Sequence, residues 1–188
     1  MDNLELIFSR RSVREYSERR ISDENLRAIL AAGMSGPSCA DTRPWQFIVV
    51  KDRETLGRMA DANGKYATPL RNAAVGILIC GDLDRAFPGA REYWVIDGAI
   101  AGQNMTLAAK ALGIGSVWLG TWPQMDRVEK QRSLFGLPES IVPHSIIAFG
   151  YPAEDNAVEP REAYEESRVH FEKWLWLAMQ SVSWYRTP

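Results

Sequence analysis

Apolar residues recur at helical intervals in five stretches of the chain. The first helix is predicted over Asn3–Arg10. The second begins after Ser22, a residue type that caps helix N-termini, and two acidic residues follow in its first turn. The same spacing predicts three further helices, over Asp52–Ala62, Tyr93–Leu112 and Met125–Phe135. A glycine directly follows each of the last two, and glycine is the residue that most often ends a helix.

Short runs rich in β-branched and aromatic residues lie between the helices. They predict four strands, over Trp45–Val50, Val75–Cys80, Ser116–Leu119 and His144–Phe149. The run Val75–Cys80 has no polar side chain, which is typical of a strand that is buried on both faces. Because helical segments separate the strands, the pattern predicts a mixed central sheet flanked by helices.

The length and composition are those of one globular domain. The 188 residues are 46% hydrophobic and 24% charged, which argues against a disordered or fibrous chain. We therefore predict a single domain over residues 1–188. Its last part, residues 164–188, is predicted to be a C-terminal helix or arm. Three tryptophans lie in this arm, so it is expected to dock on another surface, such as a second subunit.

Charge and cysteine content limit the classes of partner and the compartment. The formal net charge is -2, so the chain has no overall positive field to attract nucleic acid or anionic lipid. Its apolar runs are shorter than the ~20 residues that a membrane-spanning helix needs. Two cysteines, Cys39 and Cys80, are too few for a disulfide framework or a metal cluster. We expect a cytoplasmic protein that binds neither nucleic acid nor membrane.

A cluster of arginines follows the first predicted helix. Three guanidinium groups and one hydroxyl lie within five positions, at Arg10, Arg11, Ser12 and Arg14. Arginine offers paired donors that match phosphate oxygens, and serine adds a donor at short reach. The alternative is a solvated helix end, where cations are favoured by the helix dipole.

Two other stretches have the character of ligand-binding loops. Pro37–Trp45 is a loop of small residues whose backbone amides could approach a ring system, or it is a plain connection from helix to strand. Trp118–Trp122 is a predicted strand end at Gly120, and ligands of open sheets bind at such ends.

Several common chemistries find no support in the sequence. Gly113-Ile114-Gly115 follows a helix and precedes a strand, which is the reverse of a dinucleotide-binding turn. His144 and His170 are isolated, as expected for structural histidines rather than zinc ligands. The serines near Pro37 lack the spacing of a hydrolase nucleophile.

Taken together and in this order, the motifs resemble those of the nitroreductase family of FMN enzymes. Residues 10–14 match an Arg-x-Ser-x-Arg/Lys segment, and residues 37–45 match Pro-Ser-x-x-Asn-x-Gln-Pro-Trp. The remaining matches are Gln103-Asn104 in an Ala-rich helix, the glycine-rich turn and strand over Ala111–Gly120, and two late segments, Phe149–Pro152 and Arg168–Trp174.

The resemblance implies an α+β sandwich that forms a homodimer with FMN in two interface sites. It also implies an enzyme that takes hydride from NADH or NADPH and passes it through the flavin to a nitroaromatic, quinone or similar flat acceptor, by a ping-pong mechanism. Two alternatives stay open. One is a specialised flavin-dependent dehydrogenase of the same fold, and the other is an FMN-binding module without turnover.

The resemblance also assigns the cofactor contacts. The first motif provides Arg10, Arg11, Ser12 and Arg14 for the phosphate and the pyrimidine edge. A guanidinium such as Arg14 would stabilise the negative charge of reduced flavin and raise its reduction potential. The other implied contacts are Pro37 and Ser38 from the partner subunit, the backbone amides of Gly120 and Thr121 near N5 and O4, and Arg161 at the phosphate. Lys65 is either a contact to the flavin edge or a surface lysine.

The chain departs from the family pattern in the second motif. Asp41 stands where the family usually has Asn, and Arg43 stands where Gln is commoner. An ionised Asp accepts hydrogen bonds but donates none. We expect Arg43 to neutralise Asp41, and the two to tune substrate choice rather than abolish FMN binding. In the tail, Ala163 occupies a position where a second arginine often lies, so Arg161 or Arg168 must serve the phosphate.

Overall fold

The computed structural model of the protein describes residues 3–153, 161 and 163–174. Within them, the five helices and four strands predicted above for residues 3–149 are present. The helices are α1 (Asn3–Ser9), α2 (Asp23–Met34), α3 (Arg53–Asn63), α4 (Tyr93–Ala111) and α5 (Met125–Phe135). The strands are β1 (Trp45–Val50), β2 (Val75–Asp82), β3 (Gly115–Gly120) and β4 (Ile141–Gly150). Short 3₁₀ segments occur at Cys39–Asp41, Lys65–Asn72 and Glu166–Arg168.

The four strands form one sheet in the order β1-β2-β4-β3. Each neighbouring pair is antiparallel. The strands β2 and β3 run in the same direction, but β4 runs the opposite way and lies between them. Among the described residues the parallel pairing is a single isolated bridge, between Ser12 and Ser116. The α+β prediction is therefore confirmed, whereas the sheet is mixed only through that bridge.

Helices cover both faces of the sheet. On one face, Ile77 and Ile79 of β2 pack in a cluster with Ile29 of α2 and residues of α4. On the other face, Leu78 and Cys80 pack in a cluster with residues of α3. Consecutive side chains of β2 thus enter opposite halves of the core, which explains why this strand has no polar side chain.

Helices α2 and α3 begin at side-chain caps. The Ser22 hydroxyl accepts the N–H of Asn25 at 3.2 Å, and the Asp52 carboxylate accepts the N–H of Thr55 at 2.8 Å. Hydrogen bonds from Thr55 hold the pKa of Asp52 below its usual value. These caps satisfy backbone donors that the first turn leaves unpaired and so fix where α2 and α3 start.

Helix α4 lies very close to the sheet because two of its glycines face it. A Cβ on Gly102 would lie 2.2 Å from the ring of Trp118 in β3. A Cβ on Gly98 would lie 3.1 Å from the ring of His144 in β4. The aromatic rings of the sheet thus occupy the space that side chains on α4 would need.

The described part of the C-terminal tail is mostly irregular. Between residues 163 and 174 it contains one short 3₁₀ segment, Glu166–Arg168, and no longer helix. Tyr164, Phe171 and Trp174 are each more than half exposed. The rest of the predicted helix or arm, residues 175–188, lies outside the described residues. Over the described part of the chain, no helix is both long and apolar enough to cross a bilayer.

Candidate functional site

The arginine segment, Arg10–Arg14, lies along the outer edge of β3. The N–H of Val13 donates to the carbonyl of Ser116 at 2.9 Å, and Ser12 forms the isolated bridge to the same residue. Farther along, the hydroxyl of the buried Tyr16 lies 2.7 Å from the carbonyl of Val13, and burial raises its pKa. The same hydroxyl also donates to the carbonyl of Ala148 in β4 at 3.2 Å. Val13 and Tyr16 thus attach the segment that follows α1 to β3 and β4.

The structure brings the cations predicted to bind phosphate to one place. Arg10 is half-buried, and Ser12 and Arg14 are exposed on the same segment. The backbone N–H of Arg161 donates to the carbonyl of Phe8 at 2.9 Å, which puts this residue beside the end of α1. Among the described residues, no carboxylate pairs with Arg10, Arg14 or Arg161. These residues thus lie on neighbouring stretches of backbone, and we call Arg10, Ser12, Arg14 and Arg161 the arginine cluster. Guanidinium groups without a carboxylate partner are suited to an anion.

The Gly120-Thr121 turn lies at the other end of β3 and is held rigidly. The carbonyl of Gly120 accepts the side-chain N–H groups of Asn63 at 3.2 Å and of Arg127 at 2.9 Å. Thr121 is fully buried, and its hydroxyl donates to Asn63 Oδ1 at 2.8 Å. Apart from Gly120 and its two neighbours in the chain, no atom of the described residues lies within 4 Å of the position that a Cβ on Gly120 would take. The turn thus has an open side.

The arginine cluster and the Gly120-Thr121 turn are separated by the length of one strand. Ser116 and Gly120 are four residues apart on β3, which corresponds to about 13 Å. The arginine cluster lies beside the first and the open turn contains the second. An elongated ligand with a phosphate at one end and a flat ring at the other matches this arrangement.

Lys65 lies near the same end of β3 as the turn. It follows Asn63, the residue that holds Gly120, by two positions, and its side chain is exposed. Its ammonium group is 4.9 Å from the centre of the Tyr66 ring. This location is compatible with a contact to a bound ring and equally with a surface lysine.

The loop from Pro37 to Pro44 lies at the edge of the sheet that is opposite to β3. It leads into β1, and β2 and β4 separate β1 from β3. Pro37 is exposed and Ser38 is half-buried. Within one chain, these two residues are therefore not brought to the arginine cluster.

The model of the nitroreductase family matches residues 7–69 and 60–151 of this sequence. The matched residues are most of the chain and contain the arginine segment, the Pro37 loop and strand β3. The chain is a member of the nitroreductase family.

Relatives and solved structures agree with this membership. A protein of Methanothermobacter thermautotrophicus, provisionally named NADH dehydrogenase/NAD(P)H nitroreductase, is 45% identical over 93% of this chain and 88% of its own length. A crystal structure with the same provisional name, from Bacteroides thetaiotaomicron, has 42% identity and a TM-score of 0.83, with 91% and 97% of the two chains covered. The FMN-dependent nitroreductase of Clostridium difficile has 28% identity and a TM-score of 0.83, with 91% and 99% covered. The nitroreductase fold is thus confirmed.

The unusual pair of this family member, Asp41 and Arg43, forms the expected contact. Arg43 donates to both carboxylate oxygens of Asp41, at 2.7 and 3.0 Å, and this pairing raises the pKa of Arg43. The carboxylate that replaces the usual Asn is therefore neutralised within its own loop. The expectation that Arg43 compensates Asp41 is confirmed.

His144 is a core residue of the sheet. Its ring lies edge-on to Trp94 and Trp118, with centroids 5.7 and 6.0 Å away, and its Nδ1 is 2.9 Å from the hydroxyl of Ser145. Burial lowers its pKa to about 4, so the ring is neutral at pH 7. Among the described residues, no group of three or more His, Cys, Asp or Glu side chains is placed to hold a metal ion.

Sequence reasoning missed the residues that support the turn. Asn63 is the last residue of α3 and Arg127 lies on α5, so both reach Gly120 only through the tertiary fold. In the sequence, Asn63 before Gly64 has the appearance of an ordinary helix end. Three open clefts, of about 540, 470 and 840 Å³, contain none of the predicted cofactor contacts in their linings.

Proposed function

We propose that the protein is an NAD(P)H-dependent FMN oxidoreductase that reduces nitroaromatics, quinones or similar flat acceptors. The observation that carries the proposal is the placement of two clusters at the ends of β3, the arginines beside Ser116 and the open turn at Gly120. Relatives with NAD(P)H nitroreductase and FMN-dependent nitroreductase in their names support the nicotinamide and the flavin.

The residues of the arginine cluster fit a single phosphate group. Arg10, Ser12, Arg14 and Arg161 are four residues with donor groups, and among the described residues the three guanidinium groups have no carboxylate partner. Arg11 is less suited, because its guanidinium donates to the carbonyls of Phe8 and Arg10. We infer that Arg11 shapes the segment while its neighbours bind the phosphate.

The open turn fits the ring. Because Asn63 and Arg127 hold the Gly120 carbonyl, the backbone amides of the turn keep a fixed direction and can donate to ring atoms without reorganising. Lys65 would lie at the ring edge. FMN, when bound, supplies the hydride-transfer chemistry, so the chain itself needs no acid–base side chain at this site.

We propose that the site is completed in a homodimer. Pro37 and Ser38 lie across the sheet from β3 in their own chain, so they can reach a flavin only in a second protomer. Exposed aromatic side chains of the tail, such as Phe171 and Trp174, provide apolar surface for the partner. Both cysteines are free thiols, as expected in the reducing cytoplasm where we place the enzyme.

The cofactor is tested by the colour of the purified protein. We expect a yellow protein that releases FMN, and not FAD, on denaturation, because the donors account for one phosphate. NADH or NADPH should bleach the colour in a stopped-flow instrument, and a quinone or nitroaromatic should restore it. A protein that stays colourless with excess FMN would contradict the proposal, and bound FMN that neither nicotinamide bleaches would favour the FMN-binding module or the specialised dehydrogenase.

The kinetic order is tested by steady-state assay. The turn leaves one open side above Gly120, so nicotinamide and acceptor are expected to occupy the same space in turn. We expect ping-pong kinetics, with parallel double-reciprocal lines when the acceptor concentration is varied. Intersecting lines would show that both substrates bind together.

A further inference from the structure

Asp97 is a buried carboxylate outside the cofactor contacts described above. It lies on the inner face of α4 with 3% of its surface exposed. Carboxylates are almost never buried to this extent without a partner. Here the partner is the backbone N–H of Cys39, which donates to Asp97 Oδ1 at 3.0 Å. Burial raises the pKa of Asp97, and this hydrogen bond opposes the rise.

The Pro37 loop needs such a partner because its backbone is strained. Ala40, Asp41 and Arg43 all have positive φ angles, of 48°, 53° and 48°. Residues with a side chain adopt this region at a cost, and they stay there only where their surroundings hold them.

Among the described residues, the other side-chain hydrogen bonds of the loop are internal. The hydroxyl of Ser38 accepts the N–H of Arg43 at 3.0 Å, the hydroxyl of Thr42 donates to the carbonyl of Cys39 at 2.9 Å, and Arg43 pairs with Asp41. These bonds shape the loop but do not fix it to the rest of the molecule. Among the described residues, the Asp97 contact is the hydrogen bond that joins the turn Cys39–Asp41 to α4.

We propose that Asp97 is a positioning residue, which anchors the Pro37 loop to α4 so that Pro37 and Ser38 reach the FMN of a second protomer. This inference rests on the proposed function. A carboxylate suits the task, because a hydrogen bond to a charged acceptor is stronger than one to a neutral acceptor. Asparagine at this position would keep the acceptor oxygen and remove the charge.

The two cysteines of the chain provide a direct measurement of the anchor. Cys39 is half-buried and lies in the loop, whereas Cys80 is buried in β2, where burial raises its pKa to about 12. The thiolate of a cysteine attacks the disulfide of a reagent such as DTNB, which forms a mixed disulfide and releases thionitrobenzoate, so Cys80 reacts only when the protein unfolds. The labelling rate of Cys39 in the full-length protein without FMN therefore reports release of the loop, and Cys80 reports unfolding.

Asp97→Leu removes the acceptor and keeps the branched shape of the side chain. We expect Cys39 to be labelled at least 10-fold faster and FMN to bind at least 10-fold more weakly, with Cys80 still unlabelled. Asp97→Asn should stay within threefold of the wild type in both measurements. Asp84→Leu makes the same change at an exposed carboxylate outside the loop and should alter neither. Wild-type labelling of Cys39 in Asp97→Leu would overturn the proposal.

A second measurement covers the case in which Asp97→Leu does not fold. In the wild-type protein, amide hydrogen exchange should show the Cys39 N–H protected at least 10-fold relative to a free peptide. An unprotected amide would overturn the anchor without any variant. Both readings are made without FMN, so they stay valid if the protein fails to bind FMN. In that case the FMN titration of the wild type overturns the proposed function, while labelling and exchange still decide whether Asp97 holds the loop.

Discussion

Arg10 and Arg14 come from the same short segment but differ in exposure. Arg10 is half-buried beside α1, and Arg14 is exposed on the edge of β3. We expect Arg10→Ala to weaken FMN binding by about 1.5–3 kcal/mol, the range for a hydrogen bond to a charged group. Arg14→Ala should weaken binding and also lower the flavin reduction potential, because a cation near the ring stabilises the reduced form.

These effects are measured by FMN titration and by potentiometry of the loaded protein. Arg27→Ala, at an exposed arginine of α2, is the matched control and should change neither quantity. FMN titrations that stay unchanged in both Arg10→Ala and Arg14→Ala would remove the phosphate assignment.

His144 makes the stability of the fold depend on pH. Its pKa falls from 6.5 in the unfolded chain to about 4 in the folded protein, so the unfolded chain binds more protons between these values. The free energy of unfolding should therefore decrease by up to about 3 kcal/mol as pH falls from 6.5 to 4. Denaturant titrations should show a smaller decrease for His144→Gln, which cannot gain a proton. Parallel pH profiles for the two proteins would contradict this account.

Residue-level prediction from the sequence reaches the residues that are neighbours in the chain, and their role in binding FMN stays a prediction. Arg10, Ser12 and Arg14 lie within one motif, and the structure places them together on one segment. Asn63 and Arg127 contact Gly120 from two different helices, and Asp97 contacts a loop 58 positions earlier in the chain. Nothing in their local sequence distinguishes them from ordinary helix residues, because their roles depend on contacts between distant segments.

At the scale of elements, the close approach of α4 to β3 is the most sensitive contact. Gly102→Ala would place a Cβ 2.2 Å from the Trp118 ring. We expect the free energy of unfolding to fall by about 1–3 kcal/mol, the usual cost of overpacking a core. In Gly57→Ala, on α3, the new Cβ would meet Arg71 at an ordinary 3.4 Å.

The second substitution is the matched control. Gly57→Ala should raise the free energy of unfolding by about 0.5–1 kcal/mol, because alanine favours a helix more than glycine does. Denaturant titration of both variants tests the pair. Changes of the same sign would show that helix propensity, and not the contact with Trp118, decides the effect at Gly102.

The elements themselves were accessible from the sequence, but their arrangement was not. Ser22 at the start of α2 and the glycine after α5 marked helix boundaries, and the apolar run at Val75 marked the central strand. The position of β4 between β2 and β3 depends on pairing between segments that are far apart in the chain. Because β4 lies between β2 and β3, these two strands, which run in the same direction, do not pair with each other. The parallel pairing in the described sheet is therefore limited to the bridge between Ser12 and Ser116.

At the scale of the whole molecule, we expect a homodimer. Leu4 and Ile7 on α1, and Tyr93 and Ile96 on α4, are each about half exposed in the single chain. These surfaces and the tail are expected to bury more than ~2,000 Å² in total, the range of obligate dimers. Sedimentation should give a dimer at micromolar concentration, and a flavin-loaded monomer there would contradict the prediction.

The tail can be tested separately from the rest of the interface. A chain that ends at Lys173 lacks the tryptophans at 174, 176 and 184. If the tail covers the partner, this truncated protein should melt at a lower temperature and dissociate at higher concentration than the full chain. A stable dimer with an unchanged melting temperature would show that the tail lies outside the interface.

The order of the strands also affects how the chain folds as it leaves the ribosome. β4 is the last strand of the described sheet to be synthesised. It is the only strand that pairs with β3 in that sheet, and it also pairs with β2 on the side away from β1. Until residue 150 has emerged, β2 exposes an apolar edge and β3 has no strand to pair with, a state that favours aggregation. The arginine segment pairs with β3, so it too reaches its final position only after β4 has been synthesised. A nascent chain is therefore expected to acquire the proposed cofactor site only near the end of synthesis, when β4 completes the sheet.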